Sequence, residues 1–136
     1  MEHHPFRTAV EADDHDAVVA LLHPDVEFRS PAVHRPYHGR DAVAHLLQHA
    51  KATLEDLTYI DELHGEGTVA LIFTAQVGDK QVEGLDHLTI DGQGHITHFR
   101  VMIRPLSGLI AVAQTMAERL EADPPPETGD QAMGGG

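Results

Sequence analysis

Apolar and polar positions alternate along the chain in two periods. Residues 6 to 22 place apolar groups at Phe6, Val10, Val18, Leu21 and Leu22 around the polar run Asp13-Asp14-His15-Asp16. That is the pattern of two short helices divided by an N-capping turn, the second stopped by His23-Pro24-Asp25. Val26 to Ser30 alternates as a short strand, and Pro31 to Gly39, with two prolines and a glycine, reads as a loop. Asp41 is the expected N-cap of a helix whose buried stripe is Val43, Leu46, Leu47 and Leu54, with His45, Gln48, His49 and Lys51 turned largely outward.

From residue 58 the period changes to two. Strands are expected over Thr58 to His64, Thr68 to Val77, Lys80 to Ile90 and Ile96 to Arg104. The short turn-forming breaks between them mark antiparallel hairpins. The more apolar faces, expected to look inward, are Val69, Leu71, Phe73, Ala75 and Val77 on the second of these strands, and Thr97, Phe99, Val101 and Ile103 on the last. Pro105 opens a final amphipathic helix to about residue 121. Helices followed by a long meander make an α+β domain, with helices packed on one face of a curved sheet. We expect one domain over residues 1–121. The Pro-, Gly- and acid-rich residues 122–136 cannot bury enough apolar surface to order themselves and are expected to form a disordered tail.

Composition narrows the function. With 22 acidic against 9 basic side chains in 136 residues, the formal net charge is −13. Such a chain repels phosphate backbones and anionic lipid, so neither nucleic acid nor a membrane is an expected partner. Without cysteine, disulfides, thiol catalysis and thiolate metal sites are excluded. No segment approaches the roughly 18 apolar residues of a membrane span, and the polar start lacks a signal-peptide pattern, so a cytoplasmic protein is expected.

One position breaks the inner-face pattern. The face Val82, Gly84, Asp86, Leu88, Ile90 is apolar except for Asp86. A carboxyl there must be neutralised, hydrogen-bonded or used, because burying a lone carboxylate costs more than a small domain can spare. Asp86 is therefore the candidate active-site acid. A purely structural carboxyl, bonded to a backbone amide or paired with Arg100 or Arg104 after a one-residue shift in facing, is the alternative.

Several segments together resemble a known family. They are Phe6 to Leu22, Asp25-Val26-Glu27-Phe28-Arg29-Ser30-Pro31, Gly39-Arg40-Asp41 and, above all, Leu85-Asp86-His87-Leu88-Thr89-Ile90-Asp91-Gly92-Gln93-Gly94-His95-Ile96. The chain is similar over residues 6 to about 104 to the nuclear transport factor 2-like superfamily, within it to the ketosteroid isomerase and SnoaL-like polyketide cyclase group. The resemblance implies a cystatin-like, cone-shaped α+β barrel. In it a curved antiparallel sheet is wrapped by N-terminal helices around an apolar pocket, and a homodimer forms through the outer sheet face. It places the isomerase's protonated acid on Asp86. The isomerase's catalytic base falls on Ser30, its oxyanion-hole tyrosine on Phe6 and a supporting tyrosine on Leu47. None of these three can do the original work, so steroid isomerisation proper is not expected.

The resulting expectation is a cofactor-independent isomerase or cyclase, with lyase or hydrolase chemistry less favoured. It would act on a small apolar carbonyl or polycyclic substrate, Asp86 working with His34 or Tyr37 from the nearby loop. The expected pocket lining is Phe6, Ser30, Leu47, Phe73, Leu88, Phe99, Val101 and Ile103. A non-catalytic module binding a small apolar molecule, or a dimeric scaffold, is the alternative, and a second titratable group in the pocket separates enzyme from binder. His45 and His49 stand four apart on one helix, and His34 and His38 four apart in a loop, within ligand spacing. No third ligand lies nearby in sequence and no HExxH motif exists, so no metal and no other cofactor is expected.

Overall fold

The computed structural model describes residues 2–126; Met1 and residues 127–136, most of the expected tail, lie outside the described residues. Among the described residues four helices and six strands follow one another: α1 (Pro5–Glu11), α2 (His15–Leu21), β1 (Leu22–Arg29), β2 (Tyr37–His38), α3 (Arg40–Thr53), β3 (Glu55–His64), β4 (Thr68–Val77), β5 (Lys80–Ile90), β6 (Ile96–Arg104) and α4 (Leu106–Ala122). The strands form one open sheet in the order β2-β1-β6-β5-β4-β3. No helix among the described residues is long and apolar enough to cross a membrane.

The fold is α+β as expected, but the sheet is mixed and unclosed. Strand β1 runs parallel to β6, while every other pair is antiparallel. The parallel pair arises because β1, with β2 on its outer side, enters the sheet beside the last strand and at the opposite end from β3. Strand β1 also begins earlier than the alternation suggests. Pro24 is carried through it at a register shift between Leu22 and Glu27, where a missing N–H is tolerated.

Helices α1 and α2 start where a polar side chain accepts from a first-turn amide. Asp13 adopts a left-handed φ of 56°, a conformation Asp tolerates, and Asp14 caps α2 by accepting from the Ala17 N–H at 3.1 Å. The N-cap of α3 is Gly39 rather than Asp41, which lies in the first turn. Its His45 and His49 are half-buried and engage the end of α4 instead of facing solvent.

The core fills the concave side of the sheet. Phe73, Phe99, Leu22, Leu71, Leu88 and Ile96 are its largest fully buried side chains. Phe99 lies edge-on to Phe6 of α1 at 5.2 Å between ring centroids and against Phe28 of β1 at the same spacing. The aromatic contact therefore seals α1 onto β6.

Candidate active site

Strict alternation on β5 turns Val82, Gly84, Asp86 and Leu88 to the concave face. The register sets Asp86 between Leu71 of β4 and Val101 of β6. The Asp86 residue is only 7% exposed. Burial pushes its carboxyl up to about 7, and a hydrogen bond offsets part of that rise.

The bond comes from a residue two strands away. The Tyr59 hydroxyl of β3 donates to Asp86 Oδ2 at 3.2 Å. Burial first, and then the facing Asp86 carboxylate, raises the Tyr59 hydroxyl well above the ordinary tyrosine value, so it stays a proton donor. The Tyr59 ring is held by the edge of Phe73, at 6.2 Å and 86°, and by the Arg7 guanidinium 5.8 Å from its centroid. Phe73 in turn lies over Gly84, where a side-chain carbon would collide with its ring. Gly84 thus lets Phe73 settle and Phe73 steers Tyr59.

Beside this pair is a cavity of about 100 Å³. Its apolar wall includes Phe6, Leu47, Leu54, Leu57, Phe99 and Val101, with Tyr59 and Asp86 supplying polar atoms. Asp13, Asp14, His15 and Lys51 complete the lining as a polar group from the α1–α2 turn and α3. Three of these are already engaged: Asp14 caps α2, and Lys51 donates to the Val10 carbonyl oxygen at 2.9 Å and pairs with Asp13 at 3.4 Å. His15, half-buried, contributes the imidazole of the lining.

Of the residues singled out from sequence, the structure brings Asp86, Phe6, Leu47, Phe99 and Val101 together around the cavity. Phe73 and Leu88 are sealed in the core behind it. Ser30 instead caps its own loop, its hydroxyl accepting from the Ala32 N–H at 3.0 Å. Ser30, His34 and Ile103 border a separate surface hollow together with Arg29 and Arg100. His34 is exposed there, and Tyr37, half-buried on β2 opposite Phe28, packs against the core. Neither lines the cavity of Asp86. Tyr59 and His15 escaped the sequence reading. For Tyr59 the usable signal is the Leu57-x-Tyr59 alternation at the start of β3, which points it inward.

The site can therefore hold or release one proton at the wall of a small apolar chamber, next to a neutral hydroxyl donor. The SnoaL-like domain model matches residues 4–99. The chain belongs to the SnoaL-like family. Its fold is that of the wider nuclear transport factor 2-like superfamily. Among solved structures, a steroid delta-isomerase from Pseudomonas aeruginosa is 36% identical, with 86% of this chain and 87% of that chain covered and a TM-score of 0.83. An uncharacterized bacterial protein with a cystatin-like fold from Silicibacter pomeroyi is 29% identical over 88% of this chain and 84% of its own, again at a TM-score of 0.83. A de novo designed protein with a curved β-sheet shares the fold at 14% identity, with 88% of this chain and all of that chain covered and a TM-score of 0.67. No curated protein matches this SnoaL-like chain at a significant level.

Proposed function

We propose that this SnoaL-like protein is a cofactor-independent acid–base catalyst, an isomerase or cyclase acting on a small apolar carbonyl compound. One observation carries the reading: a carboxyl whose pKa is pushed to about 7 sits on the wall of an apolar cavity. A group poised near the working pH moves protons in both directions with little penalty. In its protonated form Asp86 donates to the substrate's carbonyl oxygen, stabilising the enol or enolate that forms when an adjacent carbon loses its proton. Tyr59 is a positioning residue that fixes the Asp86 carboxyl through Oδ2. His15, from the polar part of the lining, is the proton acceptor, a role that the exposed His34 and the core-packed Tyr37 are badly placed to fill.

The cavity volume favours a small substrate over a four-ring skeleton, since pockets for drug-sized ligands span about 300–1,000 Å³. The lack of the isomerase-type base at Ser30 points the same way. The test is exchange of enolisable protons of small cyclic ketones and enones in D₂O, followed by proton NMR. Exchange should be accelerated by the wild-type chain and lost in Asp86→Asn. Binding of the same compounds without any acceleration would instead establish the non-catalytic binding module. We also propose that the protein works as a homodimer through the convex face of the sheet.

A further inference from the structure

The two helical histidines acquire a third partner that their sequence neighbourhood lacks. Asp123, the C-cap of α4, lies 74 residues beyond His49, and its carboxylate lands on the pair. The His49 Nε2 to Asp123 Oδ2 distance is 2.9 Å, and His45 Nε2 lies 3.7 Å from the same oxygen. All three donor atoms fall within 4.8 Å of one another, and the two rings stack edge to face at 4.8 Å. Donors bound about 2.0–2.1 Å from a tetrahedral zinc ion lie about 3.3 Å apart, between the two distances found.

We propose that His45, His49 and Asp123 form a binding site for a divalent transition metal of the zinc class. Two imidazoles and one carboxylate are the donor set that borderline ions prefer over magnesium or calcium, which favour all-oxygen cages. Both imidazole side chains are only 16% exposed and project from one face of α3 at the i, i+4 spacing, so they are largely in place before an ion arrives. Asp123 is 62% exposed and can swing to complete the geometry. The strongly acidic chain raises the local concentration of cations. Arg119, one turn earlier on α4, donates to the Ala52 carbonyl oxygen at 3.4 Å. A bound ion would tie the end of α4 to α3, the helix that supplies Leu47 and Lys51 to the cavity. The site is thus a staple outside the chemistry of Asp86, and the fourth coordination position is left to water.

The test uses the untagged full-length chain, stripped with a chelator and titrated with zinc chloride by calorimetry, with cobalt(II) absorption as a second readout. One ion per chain at micromolar affinity, a cobalt spectrum of tetrahedral intensity and a zinc-dependent rise in Tm are expected. His49→Ala and Asp123→Ala should each weaken binding by at least about tenfold and remove the thermal shift. Asp123 is exposed, so its variant keeps the fold and remains informative even if a helix variant does not. Absence of binding below millimolar zinc would overturn the proposal. So would stoichiometric binding that is unchanged in Asp123→Ala and His49→Ala, because the ion would then sit on other histidines.

Discussion

At the scale of single residues, the buried Asp86 carboxyl links stability to pH. Its pKa rises from 3.8 in the unfolded chain to about 7 in the fold. Between those values the native state holds a proton that the unfolded state has released, so this group's contribution to stability falls as pH rises through that window. At about 1.4 kcal/mol per unit, the penalty above pH 7 reaches roughly 4 kcal/mol. In urea titrations, wild-type stability relative to Asp86→Asn should therefore decline from pH 4 to pH 8, and parallel curves would refute the assignment. Tyr59→Phe removes the hydroxyl that favours the charged carboxyl. The Asp86 titration, followed by carbon-detected NMR, should then move further up, with a stability loss of about 1 kcal/mol. Asp86 was legible in the sequence because a period of two makes one charged inner position conspicuous. Its partner was not, because the Tyr59 contact spans an intervening strand and depends on the β3–β4 register, which shifts between Tyr59 and Asp61. His15 was read only as part of a turn; that the α1–α2 turn overhangs the cavity is a fact of helix packing.

At the scale of elements, the strands β4 to β6 and the helices were legible because each carries its own periodicity, and their hairpin turns follow from local glycines. The left-handed φ of 59° at Gly78 between β4 and β5 is one such case. What local pattern could not supply was pairing between distant segments. That is why the parallel β1–β6 contact and the landing of Asp123 on α3 came only with the structure. The β4–β5 hairpin also carries a prediction. Gly84→Ala would drive a methyl group into the Phe73 ring, which is itself only 1% exposed and packed against Tyr59. Overpacking of this kind costs about 1–3 kcal/mol. Thermal denaturation of Gly84→Ala should show that loss, and adding Phe73→Leu should recover part of it. Strict additivity of the two changes would mean the ring and the glycine do not compete for the same space.

At the scale of the molecule, the convex face of the sheet bears on assembly. Side chains there alternate out of register with the core, and the strand pairing orders them in rows across the sheet. Met102, Leu85 and Ile72 form one row, each a register partner of the next. Met102 is 52% exposed, large for an apolar side chain near the middle of a sheet. On one side of this row stand Arg100, His87 and Ala70, and on the other Arg104, Glu83 and Thr74, with Arg104 and Glu83 paired at 3.3 Å. An apolar strip between rows that carry charged and polar side chains has the layout of an interface core with its rim. In the proposed homodimer a two-fold axis would place the same strip on both subunits and let acid and base of the rims meet with opposite sign. With a net charge of −13, copies repel one another through the rest of the surface, so contact through the face that carries Arg29, Arg100 and Arg104 is electrostatically the least opposed. Sedimentation velocity should accordingly show a dimer at micromolar protein. Met102→Glu places a charge in the centre of the strip and should raise the dissociation constant at least about tenfold, with the far-UV circular dichroism unchanged. A monomeric wild-type chain at that concentration, or a Met102→Glu variant that associates as well as wild type, would take the dimer off this face.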